Sequence, residues 1–418
     1  MRRRAPSPWL FAILNAPHAV VTGGVSGTLL SFLLRQQGVA PHAIANQRAL
    51  LLLPATLFFL WSPVTDFLLR RKTWLLLATA ASALTVMLAL ETKNYASKRA
   101  VSLLWTSSCL ILLASAAMGG LVALLMRQEQ KTRVGCFLQA GNLAGGALSG
   151  GGLLLLAAHV SKVTLGLAAG ALTFLPALPV LWFGEPPVAK RGKSFGEEMV
   201  VMGREFKKTF LRLSALPAVL LLVSPLGSGG AIGILSSIAK DYGVSGNQVA
   251  WTNGLMGGVV TFAGAIAMAL MPAHFDIRMA YAVTGLVNAG VLSVFCFGTP
   301  QPWMYIVGSG LFLFTVGACW AMYSALVLKI VGAPGRSSCG RYAMGVSLAN
   351  LPVAYMAALD GWGAKWFGPK GLPGMDMVVS GGASLAFLAW FWWERLKGFE
   401  TELGLVDDVA SGAEALSA

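Results

Sequence analysis

Long apolar stretches alternate with short polar turns along the whole chain. Each approaches the ~20 residues that an α-helix needs to cross a hydrocarbon core. Twelve such stretches are present: 9–34, 49–68, 74–90, 101–125, 136–158 and 163–183, then 215–238, 249–271, 279–298, 303–328, 342–359 and 376–393. The longest polar connection follows the sixth and divides the chain almost symmetrically. The pattern predicts an all-α integral membrane protein with twelve transmembrane helices in two six-helix bundles. The expected divisions are an N-terminal bundle over 1–183, a linker over 184–213, a C-terminal bundle over 214–395 and a disordered tail over 396–418.

Composition agrees with a lipid environment. Of 418 residues, 56% are hydrophobic and 11% charged, less than half the roughly 25% charge of an ordinary soluble domain. The 49 glycines and 13 tryptophans suit closely packed helices that end in interfacial aromatic belts. A net charge of +14 raises nucleic acid as a partner. That reading needs the basic residues on one face, and here they sit in short loops between apolar runs, which excludes it. Five scattered cysteines form no metal or disulfide pattern and read as small buried apolar residues. Arg2, Arg3 and Arg4 precede the first apolar run, which is too long for a cleavable signal core and so predicts a retained span.

Basic residues concentrate on the cytoplasmic side of membrane proteins. With the N-terminus inside, most of the 31 Lys and Arg fall there, although Lys93, Lys98 and Arg99 do not. Both termini are therefore expected in the cytoplasm. The linker sets Lys190, Arg191, Lys193, Arg204, Lys207, Lys208 and Arg212 against Glu185, Glu197, Glu198 and Glu205. It reads either as a tether or as an amphipathic helix on the cytoplasmic face.

The two halves echo each other, as duplicated transporter repeats do. Pro63, Asp66, Arg70 and Arg71 follow the second span, and Pro272, Asp276 and Arg278 follow the eighth. Arg133, Gly135 and Cys136 precede the fifth span; Arg336, Cys339 and Gly340 precede the eleventh. An aspartate at a helix end that pairs with arginine and with helix-end backbone makes a contact that one conformation holds and another releases. Asp66, Arg70, Arg71, Asp276 and Arg278 are thus candidate gating residues.

The Asp66 pattern resembles the cytoplasmic signature of the major facilitator superfamily, which implies a major-facilitator-type fold. Within it, Phe59 to Asp66 followed by Arg70 to Leu76 looks like the second-to-third helix region of AmpG-type muropeptide permeases. Asn15-Ala16-Pro17-His18, Thr22-Gly23-Gly24 and Gly27-Thr28-Leu29 are similar to that family's first span. The resemblance implies a proton-linked carrier of amphiphilic sugar peptides in the bacterial inner membrane, with related branches importing siderophores. It also implies carboxylates in the fourth span, and Ser115 to Leu125 holds none.

Polar residues inside spans should face a cavity or a neighbouring helix. Asn15, His18 and Thr22 form a stripe around Pro17; Gln139 and Asn142 lie three apart. With Trp251, Asn253, Trp320, Tyr323, Asn350 and Tyr355 they are the candidate substrate-cavity residues, each with helix-to-helix hydrogen bonding as the plainer role. His18 and Asp360 are the candidates for proton coupling. No HExxH, GxSxG or P-loop appears, which argues against an enzyme. The expected function is a permease moving a small amphiphilic solute by alternating access. The alternatives are a drug or metabolite efflux carrier and a receptor or scaffold that transports nothing. Solute, protons and lipid are the expected partners, for a single copy of the chain without cofactor or metal.

Overall fold

The computed structural model describes residues 6–39, 41–66, 69–157, 159–185, 200, 203–204, 207, 216–229, 232, 236–272, 275–331 and 338–397. They form α1 (Leu10–Gln36), α2 (Pro41–Leu57), α3 (Arg71–Leu90), α4 (Lys98–Leu125), α5 (Gln128–Ala157) and α6 (Lys162–Trp182) in the first half. The second half contains α7 (Leu216–Leu222), α8 (Trp251–Ala269), α9 (Ile277–Phe297), α10 (Pro302–Val331), α11 (Ser338–Phe367) and α12 (Gly371–Leu396). Among the described residues ten of these helices are long and apolar enough to cross a membrane. The other two are α2, which tightens into a 3₁₀ turn at Phe58–Leu60, and α7, which unwinds after Leu222. Most of the expected linker helix and of the tail lies outside the described residues, as does Arg336.

All-helical spans follow from the solvent, since lipid offers backbone amides and carbonyls no partner outside the segment itself. Large apolar side chains stand exposed at the ends, including Trp9 on entry to α1, Trp182 ending α6, Phe297 ending α9 and Trp366 near the end of α11. This is the aromatic banding of a multi-pass membrane protein. Serines cap two helices: Ser97 accepts from the Ala100 amide to start α4, and Ser161 from the Thr164 amide to start α6.

Several boundaries differ from the apolar pattern. Helix α5 starts at Gln128 rather than at position 136, because its polar first turns continue the helix and Gln128 Nε2 donates to the Lys329 carbonyl at 3.4 Å across the two halves. Helix α2 reaches back to Pro41 and so takes in Arg48. Helix α11 runs on to Phe367 and encloses Asp360.

Helix α1 packs on α5, and α3 on α4 and α6; in the second half α9 packs on α10 and α12, and α8 on α10. Between the halves α5 lies against α8 and α10, while the end of α2 and α4 lie against α11. A Cβ at Gly135 would collide with the backbone of Ala325, so glycine is what allows α5 and α10 to approach here. Cys136 Sγ reaches the Ala321 carbonyl at 3.8 Å and Ser324 Oγ donates to Gln139 Oε1 at 3.2 Å along the same seam.

Candidate functional site

Asp66 sits in the 3₁₀ turn Ser62–Asp66 that closes the second span, with a fully buried side chain. Its carboxylate accepts from the Cys339 amide at 3.0 Å and the Gly340 amide at 3.1 Å. Those amides belong to the first turn of α11, where unpaired N–H groups and the helix dipole favour an anion. Arg71 Nη2 bridges to the same carboxylate at 3.0 Å, and Arg71 Nε lies 3.4 Å from Cys339 Sγ. Arg70, the other arginine of the pattern, occupies the N-cap position of α3 and is exposed. Helix α3 takes its cap from elsewhere: Glu185, just past α6, accepts from the Arg71 and Lys72 amides at 2.9 and 3.0 Å. The turn, α3, α6 and α11 are therefore tied at one point. Glu185 was expected in the linker; nothing in its spacing marks it as a cap.

The second half uses its equivalent motif differently. Asp276 caps α9 by accepting from the Arg278 amide at 2.8 Å, and Arg278 Nη2 pairs back to it at 3.0 Å. Arg278 also reaches Glu394 on α12 at 3.5 Å and lies over the Phe391 ring. Burial alone raises the Asp276 carboxyl, but the Arg278 hydrogen bonds and the charges of Arg278 and Lys329 bring it below the usual carboxylate range.

In α1, Pro17 is followed by wide π-helical turns over Val20–Leu29. Such turns shift side-chain register within a helix and frequently mark functional positions. A small cleft of about 20 Å³, room for one water-sized group, opens beside them, lined by Thr22, Ser26, Gly27, Arg48, Leu51 and Leu52. Thr22 donates to the His18 carbonyl at 2.8 Å. Ser26 Oγ and His18 Nδ1 are buried without a hydrogen-bond partner. Arg48 lies just before the apolar run 49–68, and the extension of α2 back to Pro41 brings it to the cleft.

The other candidates mostly hold helices together. Asn15 donates to the Leu138 carbonyl of α5 at 2.7 Å, Asn350 to the Ala55 carbonyl of α2 at 3.1 Å, and Tyr323 to the Gly345 carbonyl of α11 at 2.8 Å. Asn253 bonds the Tyr305 hydroxyl at 2.8 Å. Asn142 is half-buried, and Trp251 is 61% exposed where α8 begins in widened turns.

Trp320 and Tyr355 have a shared task that spacing did not reveal. Between Val223 and Gly229 α7 is unwound, and Gly227 and Gly229 take φ of 56° and 72°, a region that favours glycine. Side chains from four later helices reach its freed carbonyls: Tyr281 of α9 to Leu226 at 3.1 Å, Trp320 of α10 to Ser228 at 3.3 Å, Tyr355 of α11 to Val223 at 2.8 Å and Ser380 of α12 to Pro225 at 2.9 Å. A broken helix is tolerated in a membrane where such donors satisfy it. Among the described residues no three His, Cys, Asp or Glu side chains gather as a metal site requires.

No family model matches the sequence, and no curated protein matches it. Solved structures do. FucP, a Major Facilitator Superfamily transporter in the outward conformation, superposes with a TM-score of 0.62 at 14% identity, covering 92% of this chain and 99% of its own. The proton:xylose symporter XylE gives 0.68 at 13% identity over 92% and 94%. The human organic anion transporter MFSD10 gives 0.67 at 16% identity over 91% and 97%. With ten helices of spanning length among the described residues, and contacts between the halves through α5, α8, α10 and α11, the chain has the fold of the major facilitator superfamily.

Proposed function

We propose that this protein is a secondary transporter that carries a small amphiphilic solute across the bacterial inner membrane by alternating access, with both termini cytoplasmic. The observation that carries this reading is the Asp66 contact. One carboxylate holds the start of a helix from the opposite half, at a helix end where the contact can open and close. The 1–183 and 214–395 bundles are the moving bodies, and Asp66 with Arg71 is the latch.

The cleft beside α1 supports a solute class. Arg48 offers a charge and Thr22 and Ser26 offer hydroxyls around one small cleft. That set suits a solute with hydroxyls and an anionic group, as a sugar peptide or a siderophore has. Proton coupling fits the description of FucP as a fucose:proton symporter and of XylE as a xylose symporter.

Proteoliposomes carrying the purified protein test the reading with labelled muropeptide, ferric siderophore, xylose and fucose under an imposed proton gradient. Gradient-dependent uptake of one of them is expected. Arg48→Gln should raise the half-saturation concentration of an anionic solute roughly tenfold or more, from the loss of one charged hydrogen bond of about 1.5–3 kcal/mol. If no member of the panel is moved or bound, and Asp66→Asn behaves as wild type, the protein is a receptor or scaffold instead.

A further inference from the structure

Arg48 is a cation in a part of the molecule that holds no acid. The sequence contains neither Asp nor Glu before Asp66, and among the described residues Arg48 has no ion-pair partner. Helices α3, α4 and α6 carry no acid either, and Glu129 of α5 stands in that helix's first turn, at the Asp66 end of the bundle. Helix α2 runs from Arg48 toward Asp66, so Arg48 lies at the opposite end. A charge on a membrane helix is costly unless something of opposite sign meets it, and such residues mark functional positions.

The guanidinium lies over the widened turns of α1. A Cβ added to Gly27 would stand 3.9 Å from Arg48 Nη2, and both residues line the same cleft as Ser26. Ser26 is 7% exposed, and its hydroxyl has no hydrogen-bond partner. Thr22 spends its hydrogen on the His18 carbonyl, so Ser26 is the hydroxyl with a proton to give. Two donors and a positive charge select an anion. The cleft has room for one water-sized group, which a halide ion or a single carboxylate oxygen approaches in size.

The rim on that side is basic. Gln47, next to Arg48, donates to the Tyr95 carbonyl at 3.2 Å, and Gln37, just past α1, donates to the Lys93 carbonyl at 2.8 Å. These bonds hold the turn between α3 and α4 beside the start of α2. The turn and its neighbours expose Arg35, Lys93, Lys98, Arg99 and Lys162 against one acid, Glu91. Lys93, Lys98 and Arg99 are the charges that depart from the cytoplasmic bias of the rest of the chain. A cluster of one sign raises the local concentration of ions of the other.

We propose that Arg48 and Ser26 bind one monovalent anionic group, a free chloride or a carboxylate, and that the exposed cations around the α3–α4 turn gather it from the side opposite the Asp66 latch. The inference deepens the transport reading and rests on it for its role. It adds Ser26 as a ligand and an inorganic anion as a competitor of the solute. Binding is reversible, and no covalent bond forms or breaks.

Thermal midpoints of the full-length protein in a neutral detergent read binding without transport. Sodium chloride and sodium acetate are titrated separately, with sodium methanesulfonate, a bulkier anion, holding the ionic strength constant. A saturable rise with chloride alone identifies a free halide, one with acetate alone a carboxylate, and a rise with both the shared chemistry. A midpoint that neither salt moves overturns the site. Arg48→Gln and Ser26→Ala should each raise the half-saturating concentration roughly tenfold or more, as loss of a charge-assisted hydrogen bond does. Arg48→Lys, which keeps the charge, should lose less. Neither side chain makes a hydrogen bond among the described residues, so both variants should fold. A saturable rise that survives Arg48→Gln and Ser26→Ala unchanged overturns the assignment. Joint replacement of Lys93, Lys98 and Arg99 by Gln should weaken binding at low ionic strength and leave it unchanged near 1 M, where charges act over only about 3 Å. An equal loss at both overturns the role of the turn. In the proteoliposome panel, a wild type that moves nothing overturns the transport reading, while the midpoint titrations still decide the anion site.

Discussion

The Cys339 amide donates to the Asp66 carboxylate at 3.0 Å although the two residues are 273 positions apart. With Gly340 and Arg71 it gives one buried carboxylate partners from both halves of the molecule. An anion at the first turn of a helix satisfies amides that have no partner within the helix.

Asp66→Asn keeps the shape of this contact and removes its charge. Charge-assisted hydrogen bonds contribute about 1.5–3 kcal/mol, so the closed arrangement should lose roughly tenfold or more in population. Cys339, fully buried against Arg71, reports it. In a protein whose only cysteine is Cys339, maleimide labelling should accelerate by about that factor. An unchanged labelling rate would show that Asp66 does not hold the halves together.

Gly135 is a packing requirement. Gly135→Val must push Ala325 away, and overpacking of this kind costs about 1–3 kcal/mol. Gly152, also on α5, has open space around its missing Cβ, so Gly152→Val should be close to neutral. Thermal midpoints of the two variants in detergent make the comparison, and equal midpoints would remove the steric argument.

Tyr281→Phe leaves the Leu226 carbonyl of unwound α7 without its donor in a buried position. An unsatisfied buried acceptor costs about 1–3 kcal/mol. The variant should melt earlier than wild type, and hydrogen exchange should rise first around residues 223–229. Exchange that rises uniformly across α9 instead would point to general loosening.

Asp276 gives a pH dependence with a definite sign. Its carboxyl is held below the usual range, so its contribution is present above the ordinary carboxylate value of about 4 and is lost as pH falls through the lower folded value. Asp276→Asn preserves the cap while removing the charge that pairs with Arg278. The difference in thermal midpoint between wild type and this variant should be positive at neutral pH and shrink on acidification. A difference that grows toward acid pH contradicts the assignment.

The sequence alone determined the solvent and the all-helical fold. Runs of about 20 apolar residues have few other ways to satisfy their backbone in lipid, and the charges between them mark the turns. It also singled out Asp66, because one acid among clustered arginines is visible in a linear string. Tertiary structure decided what each polar residue does. Asn15, Tyr323 and Asn350 share helix-facing stripes with residues of any role, and only the neighbour on the other side shows that they donate to carbonyls of α5, α11 and α2. The bracing of α7 by Tyr281, Trp320, Tyr355 and Ser380 joins residues from four helices, and no periodicity within one helix encodes such a meeting.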